Sequence, residues 1–373
     1  MIPVNTPLLD GNEKKYLLEC IESGWISSEG PFVARFEVEF AKVVERRYGI
    51  ACANGSGALD IAVAAAEIGP GDEVIMPAFT IISPAASVVR AGAIPVLVDS
   101  DPVTWNMDVS QIEACITTRT KAILVVHIYG LPVDMDPLLE IARRHGLIVI
   151  EDAAEMHGQT YRGHPCGSFG DLSTFSFYPN KHITTGEGGM VVANDERLAE
   201  RCRSFRNLCF QPGRRFVHEE LGWNYRMTNM QAALGLAQLE RLSEFVLRKR
   251  NMGELYEGFL KGTPGLRLPL TSTAYAENIF WVYGLILEDD VPLDAEAVMK
   301  SLGQLGIGTR PFFWPLHQQP VFQNQGLFND IAMPVAETMA TRGFYLPSGL
   351  GLQAPEIQQC AKVLKEILSA IQP

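Results

Sequence analysis

Lys181 stands at a position where a lysine could act as a nucleophile. It follows residues 174–177, in which polar and aromatic residues alternate as in a β-strand, and a Pro-Asn pair. The glycine-rich segment 186–189 and a second apolar strand at 190–193 come after it. A lysine held between two strands can lose its hydration, which lowers the pKa of the amine and makes it reactive towards carbonyls. The alternative is an ordinary solvated lysine beside a turn.

A possible anion site lies in the sequence Asn54-Gly55-Ser56-Gly57-Ala58, between a predicted strand at 50–53 and a predicted helix. The free backbone amides at a helix start can bind an anion, and glycines let a phosphate approach closely. The segment has neither a Walker A nor a GxGxxG pattern. A tight turn that binds nothing is therefore the alternative.

An acidic residue, Asp152, comes directly after a predicted buried strand at 147–150 and Glu151. Ligands of parallel sheets bind at the carboxyl ends of the strands. Asp152 could therefore hold a proton on a heterocyclic nitrogen through a charge-assisted hydrogen bond. It is equally suited to capping the segment that follows.

An anion site, an acid and a lysine, each after a strand, match three groups of pyridoxal phosphate: the phosphate, the ring nitrogen and the aldehyde. In this interpretation Lys181 bonds to the aldehyde carbon. Asp152 keeps the ring nitrogen protonated, so that the ring can act as an electron sink. The three features together are more specific than any one of them.

Short apolar strands alternating with helices must position these residues. The helices predicted over the first 206 residues are those at 8–23, 32–44, 83–90, 110–115, 137–145 and 195–206, with an alanine-rich helix that follows Leu59 and ends near Glu67. The predicted strands are those at 50–53, 74–76, 95–98, 122–126, 147–150, 174–177 and 190–193. This alternation is typical of an α/β fold with a mainly parallel sheet that is covered on both faces.

A long helix predicted over 228–260 is expected to carry the chain out of the first domain. The expected division is a large domain of residues 1–245 and a smaller α+β C-terminal domain of residues 246–373. The irregular, polar and aromatic segment 207–226 predicts a long functional loop. The other elements predicted are a strand at 279–287, a helix at 295–305, a loop at 310–321 and a helix at 356–371.

Bulk composition excludes several classes of protein. The net charge of −12 argues against binding nucleic acid or an anionic membrane surface. No apolar run is long enough to span a bilayer, and the first residues do not read as a signal peptide. The seven cysteines are scattered without a CxxC pair, which predicts reduced thiols, a cytoplasmic location and no zinc or other metal site.

Several motifs in the same order make the chain resemble, over essentially its whole length, the nucleotide-sugar aminotransferases of the DegT/DnrJ/EryC1/StrS group. The main ones are Glu151-Asp152-Ala153-Ala154-Glu155, Gly167-Ser168-Phe169-Gly170-Asp171, Ser176-Phe177-Tyr178-Pro179-Asn180-Lys181, Gly186-Glu187-Gly188-Gly189 and Asn224-Tyr225-Arg226-Met227-Thr228-Asn229. The resemblance implies a fold-type I aminotransferase that binds pyridoxal 5'-phosphate. It implies a large domain with a mixed, mostly parallel sheet flanked by helices, a smaller C-terminal domain, and a homodimer.

The resemblance also implies roles for single residues. Lys181 would be the lysine that bonds covalently to the cofactor and the base for the 1,3-proton shift. Asp152 would pair with the pyridine nitrogen, and Glu155, where many relatives have glutamine, would lie near the ring oxygen. The implied contacts to the phosphate are Gly55, Ser56, Gly57 and Ser176, together with Asn224, which would reach the neighbouring subunit so that both chains complete each site.

Two further residues, Ile81 and His182, bear on the resemblance. Ile81 stands where relatives often carry an aromatic residue that stacks on the cofactor, and an aliphatic face stacks less well. His182 follows the lysine directly. A related dehydratase has histidine in place of the lysine itself, but Lys181 is present here, which favours transamination. His182 is interpreted as a structural or supporting residue.

The segments 24–30, 207–226 and 310–317 look like the regions that surround the nucleotide-linked sugar. The candidate substrate contacts are Trp25, Ser27, Arg226, Arg310 and His317. Arg310 would meet either a phosphate of the nucleotide or a surface acid. His317 would be either a sugar contact or a hydrogen-bonded loop histidine.

Segments 180–189 and 346–349 look most like the GDP-perosamine synthases of this group. The resemblance therefore implies transfer of an amino group from L-glutamate to C4 of GDP-4-keto-6-deoxymannose, for surface polysaccharide synthesis. Three alternatives stay open: a dTDP- or UDP-linked or 3-keto sugar as acceptor, dehydration at C3 of the sugar, and a regulatory protein that has kept the aminotransferase fold.

Overall fold

The computed structural model describes residues 1–211, 213–214 and 216–371, so two positions of the predicted 207–226 loop and the last two residues lie outside the described residues. The helices are α1 (Glu13–Ser23), α2 (Pro31–Val43), α3 (Gly55–Ala65), α4 (Ser83–Arg90), α5 (Met135–His145), α6 (Glu196–Arg206), α7 (Asn229–Leu239), α8 (Leu242–Leu260), α9 (Ala295–Gln304), α10 (Pro320–Gln323), α11 (Pro334–Arg342) and α12 (Ala354–Ile371). The strands are β1 (Tyr48–Cys52), β2 (Glu73–Pro77), β3 (Ile94–Val98), β4 (Thr120–Val126), β5 (Ile148–Asp152), β6 (Thr160–Tyr161), β7 (His164–Pro165), β8 (Leu172–Ser176), β9 (Gly189–Ala193), β10 (Leu266–Arg267), β11 (Tyr283–Leu287), β12 (Arg310–Pro311) and β13 (Gly343–Leu346).

A seven-stranded sheet in the order β1-β9-β8-β5-β4-β2-β3 organises the first half of the chain. Strands β8, β5, β4, β2 and β3 pair in parallel, whereas β9 is antiparallel to both of its neighbours. The carboxyl ends of β1, β2, β4, β5 and β8 therefore meet at one edge. The predicted fold class, a mixed and mostly parallel sheet flanked by helices, is confirmed.

Helices cover both faces of this sheet because its strands are apolar on both sides. Neighbouring residues such as Ile50 and Ala51 face opposite ways and belong to two separate cores. Helices α3, α4 and α6 pack on one face, and α1, α2, α5 and α7 pack on the other. A strand buried on both faces reads as a continuous apolar run, which is the pattern seen in the sequence.

The C-terminal part builds a second, four-stranded antiparallel sheet in the order β10-β11-β13-β12. Helices α8, α9 and α12 bury their apolar faces against it. The first residues of the chain join this part, since Ile2 bridges to Ile307 and the Val4 carbonyl accepts a hydrogen bond from Ser348. The predicted boundary after residue 245 falls inside α8 and stays a prediction.

The predicted single helix over 228–260 is wrong, because α7 and α8 are separate helices that meet at Glu240 and Arg241. Helix α7 begins with a capping box formed by Thr228 and Gln231 and is buried against the large sheet. Helix α8 continues into the second core. Helix α7 ends at Leu239 and α8 begins at Leu242, and the guanidinium of Arg241 between them donates hydrogen bonds to Glu244 in the first turn of α8.

Smaller differences concern local turns. The predicted helix at 110–115 is a pair of 3-10 turns, Val109–Gln111 and Glu113–Cys115, because Asp108 caps the first of them. The predicted strand at 279–287 begins only at Tyr283, after Phe280 with its positive φ of 47°. The predicted loop 310–321 contains β12 and a 3-10 turn at Leu316–Gln318. Over the described residues, no helix is long and apolar enough to cross a membrane.

Candidate active site

A cavity of about 580 Å³ opens at the carboxyl edge of the large sheet. Its walls come from the loops after β1, β2, β4, β5 and β8, and the C-terminal part closes one side. The residues that line it include Asn54, Gly55, Ser56, Thr80, Ile81, Ser83, His127, Asp152, Glu155, Thr174, Ser176, Tyr178, Asn180, Lys181, Glu187, Trp281, Phe313 and Tyr345. The cavity thus collects residues from positions 54 to 345, and Lys181 is among them.

Lys181 is held in the cavity wall with only 10% of its side chain exposed. Its Nζ lies 3.7 Å from Oε1 of Glu155 and 3.8 Å from the centre of the Trp281 ring. Burial lowers the pKa of the Lys181 amine, and the carboxylates of Glu155 and Asp152 act in the opposite direction. The solvated-lysine alternative is therefore wrong, and the amine is available as a partly desolvated nucleophile.

Two acids lie beside this lysine. Asp152 ends β5 and is 4% exposed, and its Oδ1 accepts a hydrogen bond from the Ala154 amide at 3.1 Å. Asp152 thus caps the next turn and also lines the cavity, and burial raises its pKa. Glu155 accepts a hydrogen bond from the Tyr129 amide at 2.7 Å, and burial raises its pKa to about 8.

The predicted anion site is the start of α3. The Asn54 side chain caps this helix by accepting a hydrogen bond from the Gly57 amide at 2.8 Å. Ser56 Oγ lies 2.8 Å from Ser83 Oγ at the start of α4, so two helix starts meet at this wall. A Cβ atom on Gly55 would lie 2.7 Å from the Cβ of Ser176, so the close approach requires glycine there.

These residues fit pyridoxal phosphate. The start of α3 with the Ser56 hydroxyl group, the buried Asp152 and the partly desolvated Lys181 amine line one cavity. Two further hydroxyl groups in its wall, Thr80 Oγ1 and Thr174 Oγ1, are buried without a hydrogen-bond partner among the described residues. Buried polar atoms normally find partners, so a polar ligand in this cavity would satisfy them. The individual roles of Asp152, Glu155, Ser56 and Ser176 stay predictions.

Ile81 and His182 lie in different parts of the site. Ile81 lines the cavity with 48% of its surface exposed, so its aliphatic side chain is available to a ligand. His182 is fully buried behind the lysine, where its Nε2 lies 3.5 Å from the Ile279 carbonyl. Burial places the pKa of His182 well below its usual value, and nothing in its contacts brings the ring to the cavity.

Other predicted contacts lie at a second depression of about 810 Å³, which Ser27 and Arg226 line together. Asn224 pairs with Asn207 nearby, and Trp25 is about half exposed. None of these four predicted residues lines the first cavity in the chain described. The predicted contact between Asn224 and the cofactor phosphate of a neighbouring subunit therefore stays a prediction.

Neither Arg310 nor His317 lines the first cavity in the part of the chain that the structure describes, although Phe313 of the same segment does. Arg310 is exposed in β12, opposite Tyr345 of β13, which does line the cavity. His317 is 3% exposed, and its Nε2 lies 2.8 Å from Glu337. The contacts of His317 match the alternative of a hydrogen-bonded loop histidine.

Several cavity residues escaped the sequence analysis. Trp281 and Tyr345 come from the C-terminal part, and no local pattern connects them with the earlier residues of the cavity. Phe313, in contrast, lies in the predicted substrate segment 310–317. Ser83 carried one available signal, since it is a hydroxyl residue at the start of a predicted helix that follows a strand.

A buried cluster of His127, Glu151 and Cys166 has ligand atoms within 4.8 Å of one another. These atoms already serve the fold. Glu151 accepts hydrogen bonds from His127 Nε2, from backbone amides and from Ser173 Oγ. His127 Nδ1 accepts from the Val133 amide at 3.1 Å. This network therefore fixes the His127 ring in the cavity wall.

Comparison with known proteins agrees with this geometry. The chain is 46% identical over 368 residues, 98% of both chains, to a GDP-perosamine synthase of Caulobacter vibrioides. It is 40% identical over 99% of both chains to a GDP-perosamine synthase of Escherichia coli O157:H7. Its fold matches an aminotransferase from Psychrobacter cryohalolentis with a TM-score of 0.92 and 31% identity, over 98% of this chain and 99% of the other. Residues 7–365 match the DegT/DnrJ/EryC1/StrS aminotransferase family, and the chain belongs to this family of pyridoxal phosphate-dependent sugar aminotransferases.

Proposed function

We propose that this chain transfers the amino group of L-glutamate to C4 of GDP-4-keto-6-deoxy-D-mannose and so makes GDP-perosamine for a surface polysaccharide. The observation that carries the proposal is the buried Lys181 amine, which shares one cavity with Asp152 and the anion site at Ser56. The 46% identity to a GDP-perosamine synthase over nearly the whole chain supports the choice of sugar and nucleotide.

Pyridoxal phosphate, when bound, supplies an electron sink for the carbon that loses its proton. The chain's own groups would hold it: Asp152 at the ring nitrogen, Glu155 near the ring oxygen, and Ile81 against the ring. The proposed phosphate contacts are Gly55, Ser56, Gly57 and Ser176, with Asn224 of a second copy.

Lys181 would do the proton transfer. As a desolvated amine it can take the proton from the α-carbon of glutamate, which leaves as 2-oxoglutarate. In the second half of the reaction it would deliver a proton to C4 of the sugar. Its buried position excludes bulk water from this transfer, since little of the side chain is open to solvent.

The substrate region and the assembly belong to the same proposal. Arg310 would meet a phosphate of the nucleotide, and Trp25, Ser27 and Arg226 would contact the sugar nucleotide across a homodimer with shared sites. His317 would support the loop 310–321, which also carries Arg310. The proposed location is the cytoplasm, which rests on the sequence alone.

The test follows the transferred nitrogen. The enzyme is given ¹⁵N-labelled L-glutamate with GDP-4-keto-6-deoxy-D-mannose or with the dTDP- or UDP-linked 4-keto-6-deoxyglucose. We expect a GDP-linked product with one ¹⁵N at C4, matched by one equivalent of 2-oxoglutarate. A faster reaction with a dTDP or UDP sugar would contradict the proposed acceptor. A product that has lost its C3 hydroxyl group without gaining nitrogen would contradict transamination.

A further inference from the structure

An indole ring lies directly against the Lys181 amine. The centre of the Trp281 ring is 3.8 Å from Nζ, and Trp281 is only 3% exposed. The ring N–H donates a hydrogen bond to the carbonyl of Asn180 at 2.8 Å. Because Asn180 precedes Lys181 in the chain, the indole is fixed to the same segment that carries the amine.

A second lysine, Lys249, binds the backbone of this tryptophan. Lys249, in α8, is 2% exposed, and its Nζ donates hydrogen bonds to the carbonyls of Trp281, at 2.8 Å, and of Ser348. Ser348 in turn accepts a hydrogen bond at its Oγ from the Tyr283 amide. The backbone of Trp281 is therefore tied to α8 and to the segment after β13.

The chemistry proposed for Lys181 requires a place for its amine. The amine must be released each time a substrate nitrogen takes its position, and it must then stay in reach. Oε1 of Glu155 lies 3.7 Å away, too far for a strong hydrogen bond, and the Tyr129 amide donates to Oε2 of the same carboxyl group. The face of an indole ring attracts an ammonium group independently of that carboxyl group.

We propose that Trp281 is the resting site of the Lys181 amine whenever this amine is not covalently bound, and that Lys249 fixes Trp281 in that position. Both are positioning residues. The inference rests on the proposed role of Lys181, but it makes no assumption about the sugar, the nucleotide or the amino donor.

Other titratable groups also act on this amine and have to be separated from the effect of Trp281. The groups that interact electrostatically with Lys181 are Glu155, Asp152, His157, His182 and Lys249. The two acids favour the charged amine, whereas the histidines and Lys249, when charged, oppose it. A substitution at Trp281 leaves all five in place, so it isolates the contribution of the ring.

The test measures the pKa of Lys181 in the cofactor-free, full-length chain, from the pH dependence of its chemical labelling and mass spectrometry of the peptide that contains it. In Trp281→Leu the charged amine loses the ring face. We expect the pKa of Lys181 to fall by about one unit, which is a rise of about tenfold in labelling at a pH below that pKa. Trp281→Phe keeps a weaker face and should give a smaller fall.

The matched control is Trp105→Leu, which removes another buried indole that contacts Phe312. It should leave the pKa of Lys181 unchanged. An unchanged or raised pKa in Trp281→Leu, or an equal fall in Trp105→Leu, would overturn the proposal. If Trp281→Leu does not fold, Trp281→Phe is compared with Trp105→Phe: a fall only in the former supports the proposal, and no fall overturns it.

The part played by Lys249 is tested by a double-mutant cycle. In a Lys249→Met background the backbone of Trp281 loses its tie to α8, so that only the hydrogen bond to Asn180 positions the ring. Adding Trp281→Leu should then change the pKa of Lys181 by less than half as much as in the unmodified chain. An equal change in both backgrounds would overturn the anchoring role. These labelling experiments use no sugar nucleotide, so they can fail while the proposed function holds, and the reverse is also true.

Discussion

The carboxyl group of Glu155 lies 3.7 Å from the amine of Lys181, and 8% and 10% of their side chains are exposed. Burial disfavours the charged form of both groups. Burial raises the pKa of Glu155 to about 8 and lowers the pKa of Lys181, while the attraction between the two opposes both shifts. The Tyr129 amide holds the carboxyl group in place. The protonation state of Glu155 therefore changes close to neutral pH.

Replacing Glu155 by Gln should change how stability depends on pH. The pKa of Glu155 is raised from 4.5 to about 8 in the folded protein, so the folded state binds a proton that the unfolded state has lost. Stability from this group is fully present below pH 4.5 and is lost as the pH rises towards 8. We expect Glu155→Gln to remove this loss. At pH 8 its free energy of unfolding should be about 2–4 kcal/mol higher than that of the unmodified chain.

The measurement is urea unfolding of the cofactor-free chain at several values between pH 5 and pH 8. Glu140→Gln, at an exposed acid in α5, serves as the control and should not alter the pH dependence. If the two Glu variants and the unmodified chain lose stability in parallel as the pH rises, the raised pKa of Glu155 is wrong.

Lys181→Ala should abolish transamination while the fold persists. The amine is the group proposed to move protons, and removing a catalytic base of this kind costs at least about a hundredfold in rate. Burial of the charged amine costs free energy in the native state, so removing the side chain should not lower the melting temperature much. Release of 2-oxoglutarate from glutamate is the assay. Lys300→Ala, at an exposed position in α9, should keep full activity. Substantial turnover by Lys181→Ala without added amines would contradict the assignment.

The residues of the site that could be predicted share one property: each lies at or soon after the carboxyl end of an apolar strand. Ser56 and Lys181 come soon after β1 and β8, Asp152 is the last residue of β5, and parallel strands end at a common edge. A local pattern therefore carries information about a tertiary arrangement. The covering helices were predictable for the same reason, since their apolar spacing reports a buried face.

What could not be predicted depends on contacts between distant parts of the chain. Trp281 reaches the carbonyl of Asn180 across 101 positions, and no periodicity links them. The break between α7 and α8 lies in a stretch without proline whose sequence is typical of one helix. Only the structure shows that α7 belongs to one core and most of α8 to another. For His317 the residue type allowed both a sugar contact and a hydrogen-bonded loop histidine, and only the structure shows that its Nε2 lies 2.8 Å from Glu337.

Gly55→Ala should weaken the anion site. A Cβ atom at this position would lie 2.7 Å from the Cβ of Ser176, so either the helix start or β8 must shift. Such overpacking costs about 1–3 kcal/mol, and we expect the affinity for pyridoxal phosphate, measured by equilibrium dialysis, to fall about tenfold. Gly258→Ala is the matched control, because nothing lies within 4 Å of a Cβ there. It should stabilise α8 by about 0.5–1 kcal/mol. An unchanged affinity in Gly55→Ala would contradict the close approach.

Asn229 should control the segment 24–30, which carries two of the predicted substrate contacts. It is fully buried, its Nδ2 donates to the Trp25 carbonyl at 2.7 Å, and its Oδ1 accepts from the Phe32 amide at 2.8 Å. Asn229→Ala leaves both partners unpaired, which costs about 2–3 kcal/mol of stability. We expect a raised KM for the sugar nucleotide with little change for glutamate. Asn251→Ala, at an exposed position in α8, should change neither. Equal increases for both substrates would mean that Asn229 serves only the fold.

Mutations at His317 and Glu337 can distinguish a sugar contact from a hydrogen-bonded loop histidine. The ring is buried, its Nε2 lies 2.8 Å from Glu337, and the Met333 amide donates to the same carboxyl group at 3.1 Å. The pair thus ties the 3-10 turn at Leu316–Gln318 to the start of α11. If His317 acts only through this tie, breaking it from either side should have the same result.

We therefore expect His317→Ala and Glu337→Ala to lower kcat/KM for the sugar nucleotide by a similar factor, about three- to tenfold, because each removes one hydrogen bond that holds the loop. Steady-state kinetics with the sugar nucleotide varied at saturating glutamate provide the comparison, and melting temperatures should fall in parallel. A loss of a hundredfold or more in His317→Ala alone would show that its ring contacts the sugar, since Glu337 cannot transmit an effect that its own removal does not cause.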